Sequence, residues 1–235
     1  MPRKLAVLFL VLVVSLSLAA AGCGKKEETK EETGKQTTVE QTQDKKTTGT
    51  SHGKAVLMNG RSVMQGWMQH WGYKWEGPVE ENGYSLDYKE LDAEDMAGSF
   101  RDNVSGLPAG SVVFFKFCFA DFNGENLNEL ENTVDEVIAT AGEKGLKLII
   151  GNALPMNEEG GSKGLVSEYK KYNAFLEKKA TENPGVWIYD FYTVLAGPDG
   201  LLKPEYDTGD SHPNDDAYTA LDESFFPLLG RVFNQ

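Results

Sequence analysis

Cysteine is scarce in this chain of 235 residues, which contains only Cys23 and Cys118. Two cysteines that lie in such different surroundings cannot supply a framework of disulfide bridges. The class of small folds held together by several disulfides is therefore excluded. Cys118 lies in the apolar run 112–119. It is expected to behave there as a small buried hydrophobic residue and not as a nucleophile.

Positive charge is also scarce. The whole chain has 23 Lys and Arg against 36 Asp and Glu, a formal net charge of −13. From Ala55 onward the imbalance is larger, with 14 basic and 30 acidic residues and a net charge of −16. A surface with this field repels phosphate groups, so it is not expected to bind nucleic acid or anionic lipid.

A single long apolar run occurs, from Leu5 to Ala21, directly after Arg3 and Lys4. A charged start, an apolar centre and small residues before a cleavage point are typical of a secretory signal peptide, predicted here over 1–22. Cys23 follows Ala-Ala-Gly, which resembles a bacterial lipobox. The resemblance implies lipid on the Cys23 sulfur and an exported protein anchored to the cell membrane or outer membrane, facing the extracytoplasmic side. The alternative is an uncleaved membrane anchor.

Apolar side chains are almost absent from residues 24–54, which are mainly Lys, Glu, Thr, Gln and Gly. Such a segment cannot bury enough surface to offset the conformational entropy lost on folding. Together with Cys23 it is predicted to form a lipidated, disordered polar tether over 23–54. The folded domain is predicted over 55–235.

Within 55–235, short apolar runs alternate with segments of helical periodicity. This alternation predicts an α/β fold, a three-layer doubly wound parallel sheet of the flavodoxin type with helices on both faces. The predicted strands are 55–58, 84–88, 112–119, 146–150 and 186–190. The predicted helices are 63–71, 92–104, 126–141, 165–181 and 217–233.

Histidine is the scarcest chemically useful side chain, with His52 in the tether, His70 inside the first predicted helix and His212 near the C-terminus. Ser62 follows the first strand and His212 precedes the last helix, and functional groups of doubly wound sheets gather at the carboxyl ends of strands. A histidine near neutral pKa is a suitable base for a serine, with an aspartate to orient it. The non-catalytic alternative is that Ser62 caps its helix and His212 is a surface residue.

Two runs in these places resemble blocks of the SGNH (GDSL-type) hydrolase superfamily. They are Gly60-Arg61-Ser62 after the first strand and His212-Pro213-Asn214 before the last helix. The resemblance covers 55–235. It implies ester hydrolysis with Ser62 as nucleophile and His212 as base, and it implies no metal and no organic cofactor.

The chain departs from the superfamily pattern beside both runs. Arg61 stands where the serine block has Asp, and Gly209 stands three residues before His212, where the family keeps the Asp of its triad. Asp210, two residues before the histidine, and Asp207, five residues before it, are the alternatives for the third member.

The superfamily's Gly-x-Asn-Asp block is matched only by Asp121, since Cys118 and Ala120 occupy the Gly and Asn positions. The donors that would stabilise an oxyanion are therefore not identified by the resemblance. Candidates for oxyanion or substrate contacts are Gly60, Asp121, Asn123 and Lys116.

These observations predict a lipid-anchored extracytoplasmic serine esterase or acetylesterase with Ser62, His212 and Asp210 as its catalytic residues. Its substrate is expected to be a small-molecule or glycan ester, such as an O-acetylated glycan. The alternative is a catalytically impaired protein of the same fold that binds a glycan or a protein partner at the cell envelope.

Overall fold

A computed structural model describes residues 54–235 of the chain. The predicted signal peptide at 1–22, the predicted lipidation of Cys23 and the tether up to residue 53 lie outside the described residues. They stay predictions. Among the helices that are described, none is both long and apolar enough to cross a membrane.

The described chain forms six strands and six α-helices. The strands are β1 Ala55–Gly60, β2 Val79–Glu81, β3 Tyr84–Glu90, β4 Val112–Phe115, β5 Lys147–Gly151 and β6 Val186–Tyr189. The helices are α1 Ser62–His70, α2 Met96–Asn103, α3 Leu127–Lys144, α4 Lys163–Glu182, α5 Phe191–Leu195 and α6 Asp215–Phe233.

The strands form one sheet in the order β2-β3-β1-β4-β5-β6. The predicted α/β fold with a doubly wound parallel sheet is confirmed, and the sheet has one further strand at its edge, β2, that is not predicted. There β2 pairs antiparallel with β3, whereas every other neighbouring pair is parallel. A tight turn with positive φ at Asn82 and Gly83 joins these two strands. Because β2 has only three residues, two of them glutamates, it carries no strand periodicity in the sequence.

Each face of the sheet buries its own hydrophobic core. Helices α1 and α6 cover one face, where Trp67 packs against strand residues such as Phe114. Helices α2, α3 and α4 cover the other face, where Val134 lies in the same cluster as Phe115. Phe114 and Phe115 are adjacent in β4 and point to opposite faces, as the two-residue period of a strand requires. A strand buried on both faces therefore reads as a continuous apolar run.

The apolar run of β4 continues beyond the strand. A strand is predicted over 112–119, but β4 ends at Phe115 and a 3-10 turn occupies Phe119–Asp121. The chain turns there because the Asp121 carboxylate accepts a hydrogen bond (2.6 Å) from the backbone N–H of Cys118. Phe117, Cys118 and Phe119 are nevertheless buried. Hydrophobicity in this run therefore reports burial and not strand structure.

Aspartates set two helix starts differently from the prediction. The sequence predicts a helix capped by Asp92, but α2 begins later and is capped by Asp95, which accepts from Gly98 N (2.9 Å). Several acidic residues precede this helix, so composition alone does not select the cap. The short helix α5 is not predicted, and it begins where Asp190 accepts from Thr193 N (2.9 Å).

The sheet places the carboxyl end of β1 at a switch in chain direction. After β1 the chain builds β3 on one side of it and then crosses to build β4 on the other. In doubly wound sheets the crevice at such a point is where ligands bind, because the loops on either side diverge. Ser62 directly follows β1 and lies at this crevice.

Candidate active site

Ser62 is the first residue of α1 and is exposed. The preceding residue, Arg61, has extended backbone angles (φ −116°, ψ −152°), and no side chain caps this end of the helix. The Ser62 hydroxyl therefore does not cap the helix, contrary to the non-catalytic alternative for this residue. The start of α1 also presents backbone N–H groups and the positive end of the helix dipole beside the hydroxyl.

Gly60 allows β1 and α1 to approach each other closely. A Cβ atom at Gly60 would lie 2.7 Å from the Cβ of Met64, so a larger residue would push the helix away. The Gly60 carbonyl accepts hydrogen bonds from Tyr88 Oη (3.2 Å) and from Leu91 N (3.0 Å). Gly60 is buried beneath these neighbours. Its predicted role as an oxyanion or substrate contact is untested, and the geometry gives it a packing role.

His212 reaches Ser62 from the loop before α6. Its Nε2 lies 3.1 Å from Ser62 Oγ, although 150 residues separate the two. The backbone N–H of Thr208 donates to the His212 carbonyl (3.0 Å) and so fixes the loop. The ring of Phe119 meets the imidazole edge-on, with centroids 5.0 Å apart. These contacts orient the imidazole toward the serine.

Asp210 lies on the other side of the imidazole. Its Oδ1 is 3.0 Å from His212 Nδ1. The hydroxyl of Thr208 donates to the same oxygen (2.7 Å). The hydrogen bond from Thr208, followed by that from His212, lowers the pKa of the Asp210 carboxyl to about 2. The carboxylate is ionised at neutral pH, so it accepts the Nδ1 proton and leaves Nε2 to accept from the serine hydroxyl.

Asp207, the other candidate for the third position, contacts different groups. Its Oδ2 accepts from Asn157 Nδ2 (2.8 Å) and its Oδ1 accepts from Ser211 N (2.8 Å). Ser211 has a positive φ of 71°, which the bond from its N–H to Asp207 helps to hold. Asp207 therefore shapes the loop that carries His212, whereas Asp210 contacts the imidazole itself.

Arg61 and Asp121 form an ion pair next to the serine. The Asp121 side chain is only 6% exposed, and its second oxygen accepts from Cys118 N. Both carboxylate oxygens are thus engaged with the protein. Asp121 holds the loop after β4 against Arg61. Its predicted role as an oxyanion or substrate contact stays a prediction.

Cys118 lies at the serine and not inside a strand. Its Sγ is 3.6 Å from Ser62 Oγ, and the residue is buried. The prediction that it is a small buried residue agrees with this position, but its closeness to Ser62 has no signal in the sequence. The thiol closes the side of Ser62 that faces β4.

Lys116 and Asn123, two candidates for oxyanion or substrate contacts, have contacts elsewhere in the protein and none recorded with the Ser62 hydroxyl. Lys116 is fully buried, its Nζ lacks a hydrogen-bond partner among the described residues, and it lies 5.5 Å from the centroid of the Phe191 ring. Burial lowers the pKa of its ammonium to about 8. Asn123 is exposed, and its hydrogen bonds go to Glu125 and Asn126 in the turn before α3. Neither contact pattern includes Ser62.

His70 is a second histidine near the site. It lies in α1, as predicted, but it also lines a cleft of about 490 Å³ together with Ser62 and His212. The cleft runs between α1 and the start of α6. The sequence contains a signal for this cleft. Ser62, Gln65 and Gln69 recur at helical intervals, so they lie on the same face of α1.

Within residues 54–235, no group of three or more His, Cys, Asp or Glu side chains is arranged to hold a metal ion.

No protein-family model matches the chain, and no curated protein matches it. Solved structures do match. A GDSL-like lipase from Bacteroides thetaiotaomicron has a TM-score of 0.61 and 20% identity, covering 76% of this chain and 88% of that one. A member of the lipolytic protein G-D-S-L family from Veillonella parvula has a TM-score of 0.59 and 19% identity, covering 76% and 99%. An acetyl xylan esterase, AlAXEase, has a TM-score of 0.55 and 14% identity, covering 74% and 98%. The described domain therefore has the fold of the SGNH (GDSL-type) hydrolases, the superfamily that its serine and histidine runs resemble.

Proposed function

We propose that this protein is a serine esterase in which Ser62, His212 and Asp210 act together. The observation that carries the proposal is the pair of contacts on the two imidazole nitrogens. Nε2 lies 3.1 Å from the serine hydroxyl and Nδ1 lies 3.0 Å from the carboxylate. A serine hydroxyl becomes a nucleophile when a base within hydrogen-bond reach removes its proton, and a carboxylate on the other nitrogen fixes the tautomer.

The reaction proceeds through an acyl-enzyme. His212 Nε2 accepts the hydroxyl proton while Ser62 Oγ forms a bond to the carbonyl carbon of the ester. His212 then returns that proton to the alkoxy oxygen, the bond between this oxygen and the carbonyl carbon breaks, and the alcohol leaves. Water, activated by the same nitrogen, hydrolyses the acyl-serine and releases the carboxylic acid. Asp210 stays ionised and stabilises the imidazolium that forms at each step.

The start of α1 supports the stabilisation of the oxyanion. The Ser62 N–H belongs to a helix end without a side-chain cap, so it is available to a negative oxygen bound at the hydroxyl. A donor of this kind contributes roughly 3–4 kcal/mol of transition-state stabilisation in other enzymes. The buried Cys118 thiol beside Ser62 leaves limited space on that side, which favours a small acyl group such as acetyl.

The nucleophile is tested by labelling the purified full-length chain with a fluorophosphonate and mapping the modified residue by mass spectrometry. We expect one adduct, at Ser62, that is lost in Ser62→Ala and His212→Ala and retained in Cys118→Ala. An adduct that requires Cys118 would make the thiol the nucleophile. A folded protein that is not labelled and hydrolyses no aryl acetate would contradict the esterase and favour the binding role.

We also propose that the esterase is held at the membrane by a lipid anchor on Cys23 and acts outside the cytoplasm. The N-terminal sequence predicts this anchor. The test is metabolic labelling with a clickable fatty acid during expression of the full chain in a bacterial host. The wild-type chain should carry the label and fractionate with membranes. Cys23→Ala should carry no label, and a labelled Cys23→Ala chain would contradict this anchor.

A further inference from the structure

The oxygen that becomes negative in the proposed esterase reaction can accept several hydrogen bonds, and the Ser62 N–H supplies one of them. Two neighbouring backbone donors are already engaged. The N–H of Cys118 donates to Asp121 (2.6 Å). The N–H of Leu91, in the loop after β3, donates to the Gly60 carbonyl (3.0 Å). Neither of these N–H groups is free to bind a substrate oxygen.

Arg61 is a side chain next to the serine that keeps donors available. A guanidinium group has five N–H donors in a fixed planar arrangement. Within residues 54–235, Arg61 donates one side-chain hydrogen bond, from Nη1 to Asp121 Oδ1. The Arg61 side chain is 29% exposed. Its remaining N–H groups are therefore accessible to a ligand bound at the serine.

The contacts of Asp121 place this guanidinium close to the reacting atoms. One carboxylate oxygen of Asp121 accepts from Arg61, and the other accepts from the Cys118 N–H. The Cys118 Sγ in turn lies 3.6 Å from Ser62 Oγ. The guanidinium, the carboxylate, the thiol and the hydroxyl thus form one run of neighbours. Arg61 also precedes Ser62 directly in the chain, so it adjoins the peptide N–H that supplies the first donor.

Asp121 orients the guanidinium and leaves most of its donors unused. The Asp121 side chain is 6% exposed and is held at both oxygens, so Arg61 has a fixed partner before any substrate binds. A donor that is oriented in advance stabilises a transition state well, because the protein does not have to reorganise as the charge develops. A hydrogen bond from a charged donor is also about twice as strong as one from a neutral donor.

We propose, on the basis of the esterase function above, that Arg61 is a catalytic residue that donates to the oxyanion together with the Ser62 N–H. The carbonyl oxygen of the ester is neutral when the substrate binds. It gains a negative charge when Ser62 Oγ bonds to the carbonyl carbon, and the charge returns to the carbonyl bond when the alcohol leaves. A guanidinium binds the charged oxygen more tightly than the neutral one. It therefore lowers the barrier to acylation, and in the same way the barrier to hydrolysis of the acyl-serine.

Arg61→Lys in the full-length chain tests the donor while keeping a cation beside the buried Asp121 carboxylate, so the fold should be retained. The compact ammonium, drawn to Asp121, lacks the second directed N–H of a guanidinium fork. We expect kcat for 4-nitrophenyl acetate to decrease about 10–100-fold with KM unchanged, because the donor acts in the transition state. The matched control is Arg101→Lys. Arg101 pairs with Glu136 on the surface (3.6 Å), and its variant should keep wild-type kinetics.

Arg61→Ala removes the side chain, so that a free guanidinium ion can occupy its place. We expect kcat to decrease about 10²–10³-fold, the usual effect of losing an oxyanion donor. Millimolar guanidinium chloride should restore part of this activity, whereas equal concentrations of sodium chloride and of urea should not. Urea has planar N–H donors without the charge, and sodium has the charge without the donors. Melting temperatures in the same solutions report whether the variant is folded.

The outcomes separate this role from the esterase function itself. A folded Arg61→Lys or Arg61→Ala chain with wild-type kcat would overturn the role of Arg61 and leave the esterase intact. A loss of kcat that follows a lower melting temperature and is not reversed by guanidinium would also overturn it, and would make Arg61 a structural residue. A wild-type chain that hydrolyses no aryl acetate and takes no fluorophosphonate at Ser62 would overturn both proposals.

Discussion

Asp210 contacts the imidazole of His212 from a position only two residues earlier in the chain, with 3.0 Å between its Oδ1 and Nδ1. The turn between them makes this possible, since Gly209 has a φ of 106° and Ser211 a φ of 71°. Left-handed residues on both sides bring the Asp210 carboxylate back to its neighbour, where the superfamily pattern uses an aspartate three residues before the histidine.

Asp210→Asn should therefore lower kcat for 4-nitrophenyl acetate by about 10²–10⁴, because the amide can stabilise the wrong tautomer and cannot neutralise the imidazolium. The side chain is exposed, so the fold should be retained and the circular dichroism spectrum unchanged. The matched variant is Asp207→Asn. It should act on the melting temperature, since Asp207 bonds Asn157 and Ser211. A kinetic loss that follows Asp207 and spares Asp210→Asn would reverse the assignment.

The buried Lys116 predicts a pH dependence of stability. Burial lowers the pKa of its ammonium from 10.5 to about 8. Between pH 8 and about 10.5 the unfolded chain retains this proton and the folded chain loses it, so the unfolded state binds more protons and stability increases with pH. Lys116→Met should raise the free energy of unfolding at pH 7 by roughly 2 kcal/mol and remove this increase.

Urea unfolding at pH 7, 8, 9 and 10 measures this difference, with Lys171→Met as the control on the exposed surface of α4. The difference between wild type and Lys116→Met should shrink as the pH rises, whereas the control should follow the wild type throughout. A Lys116→Met protein that is less stable at pH 7 would show that the ammonium makes favourable contacts, although Nζ has no hydrogen-bond partner within residues 54–235.

Arg61 occupies the place of the aspartate in the superfamily's serine block, and its partner is Asp121. Arg61→Asp would restore the block and yet set two carboxylates against each other, one of them nearly buried. We expect a loss of about 2–4 kcal/mol in the free energy of unfolding, because an unpaired buried charge is costly. Adding Asp121→Asn should recover at least half of the loss.

A double-mutant cycle of unfolding free energies measures this coupling. Additive effects of the two substitutions would mean that Arg61 and Asp121 are not coupled, and that the loss in Arg61→Asp has another cause. The same variants report on the loop after β4, because Asp121 also holds the Cys118 N–H.

Gly66 sets the distance between α1 and α6, and therefore between the serine and the histidine. A Cβ atom there would lie 2.3 Å from Tyr218 Oη, which donates to the Val63 carbonyl (3.2 Å). Gly66→Ala should lower the free energy of unfolding by about 1–3 kcal/mol and reduce kcat by separating the two helices. Tyr218→Phe in the same chain should return part of the activity by removing the closest atom.

The control for Gly66→Ala is Gly142→Ala, in α3, where a Cβ atom would meet nothing within 4 Å. There we expect a gain of about 0.5–1 kcal/mol, the ordinary helix preference of alanine over glycine. Thermal unfolding and aryl acetate hydrolysis measure both variants. If Gly66→Ala behaved like the control, the close approach of the helices would be unimportant for the site.

Local sequence patterns were sufficient for the order of most strands and helices, for the position of Ser62 after β1 and for the position of His212 before α6. Apolar runs and helical periodicity are properties of neighbouring residues, so they survive without knowledge of distant contacts. They failed where local preference was weak or equal, as at β2 with its two glutamates and at the choice between Asp92 and Asp95.

Only the tertiary structure decided which groups meet at the serine. The choice between Asp207 and Asp210 depends on the left-handed turn at Gly209 and Ser211, whose direction no residue type fixes alone. Arg61 meets Asp121, and Ser62 meets Cys118, through chain separations of 60 and 56 residues. A side chain in a loop points where the packed strands and helices on either side direct it, so its partner is settled by long-range packing and carries no period in the sequence.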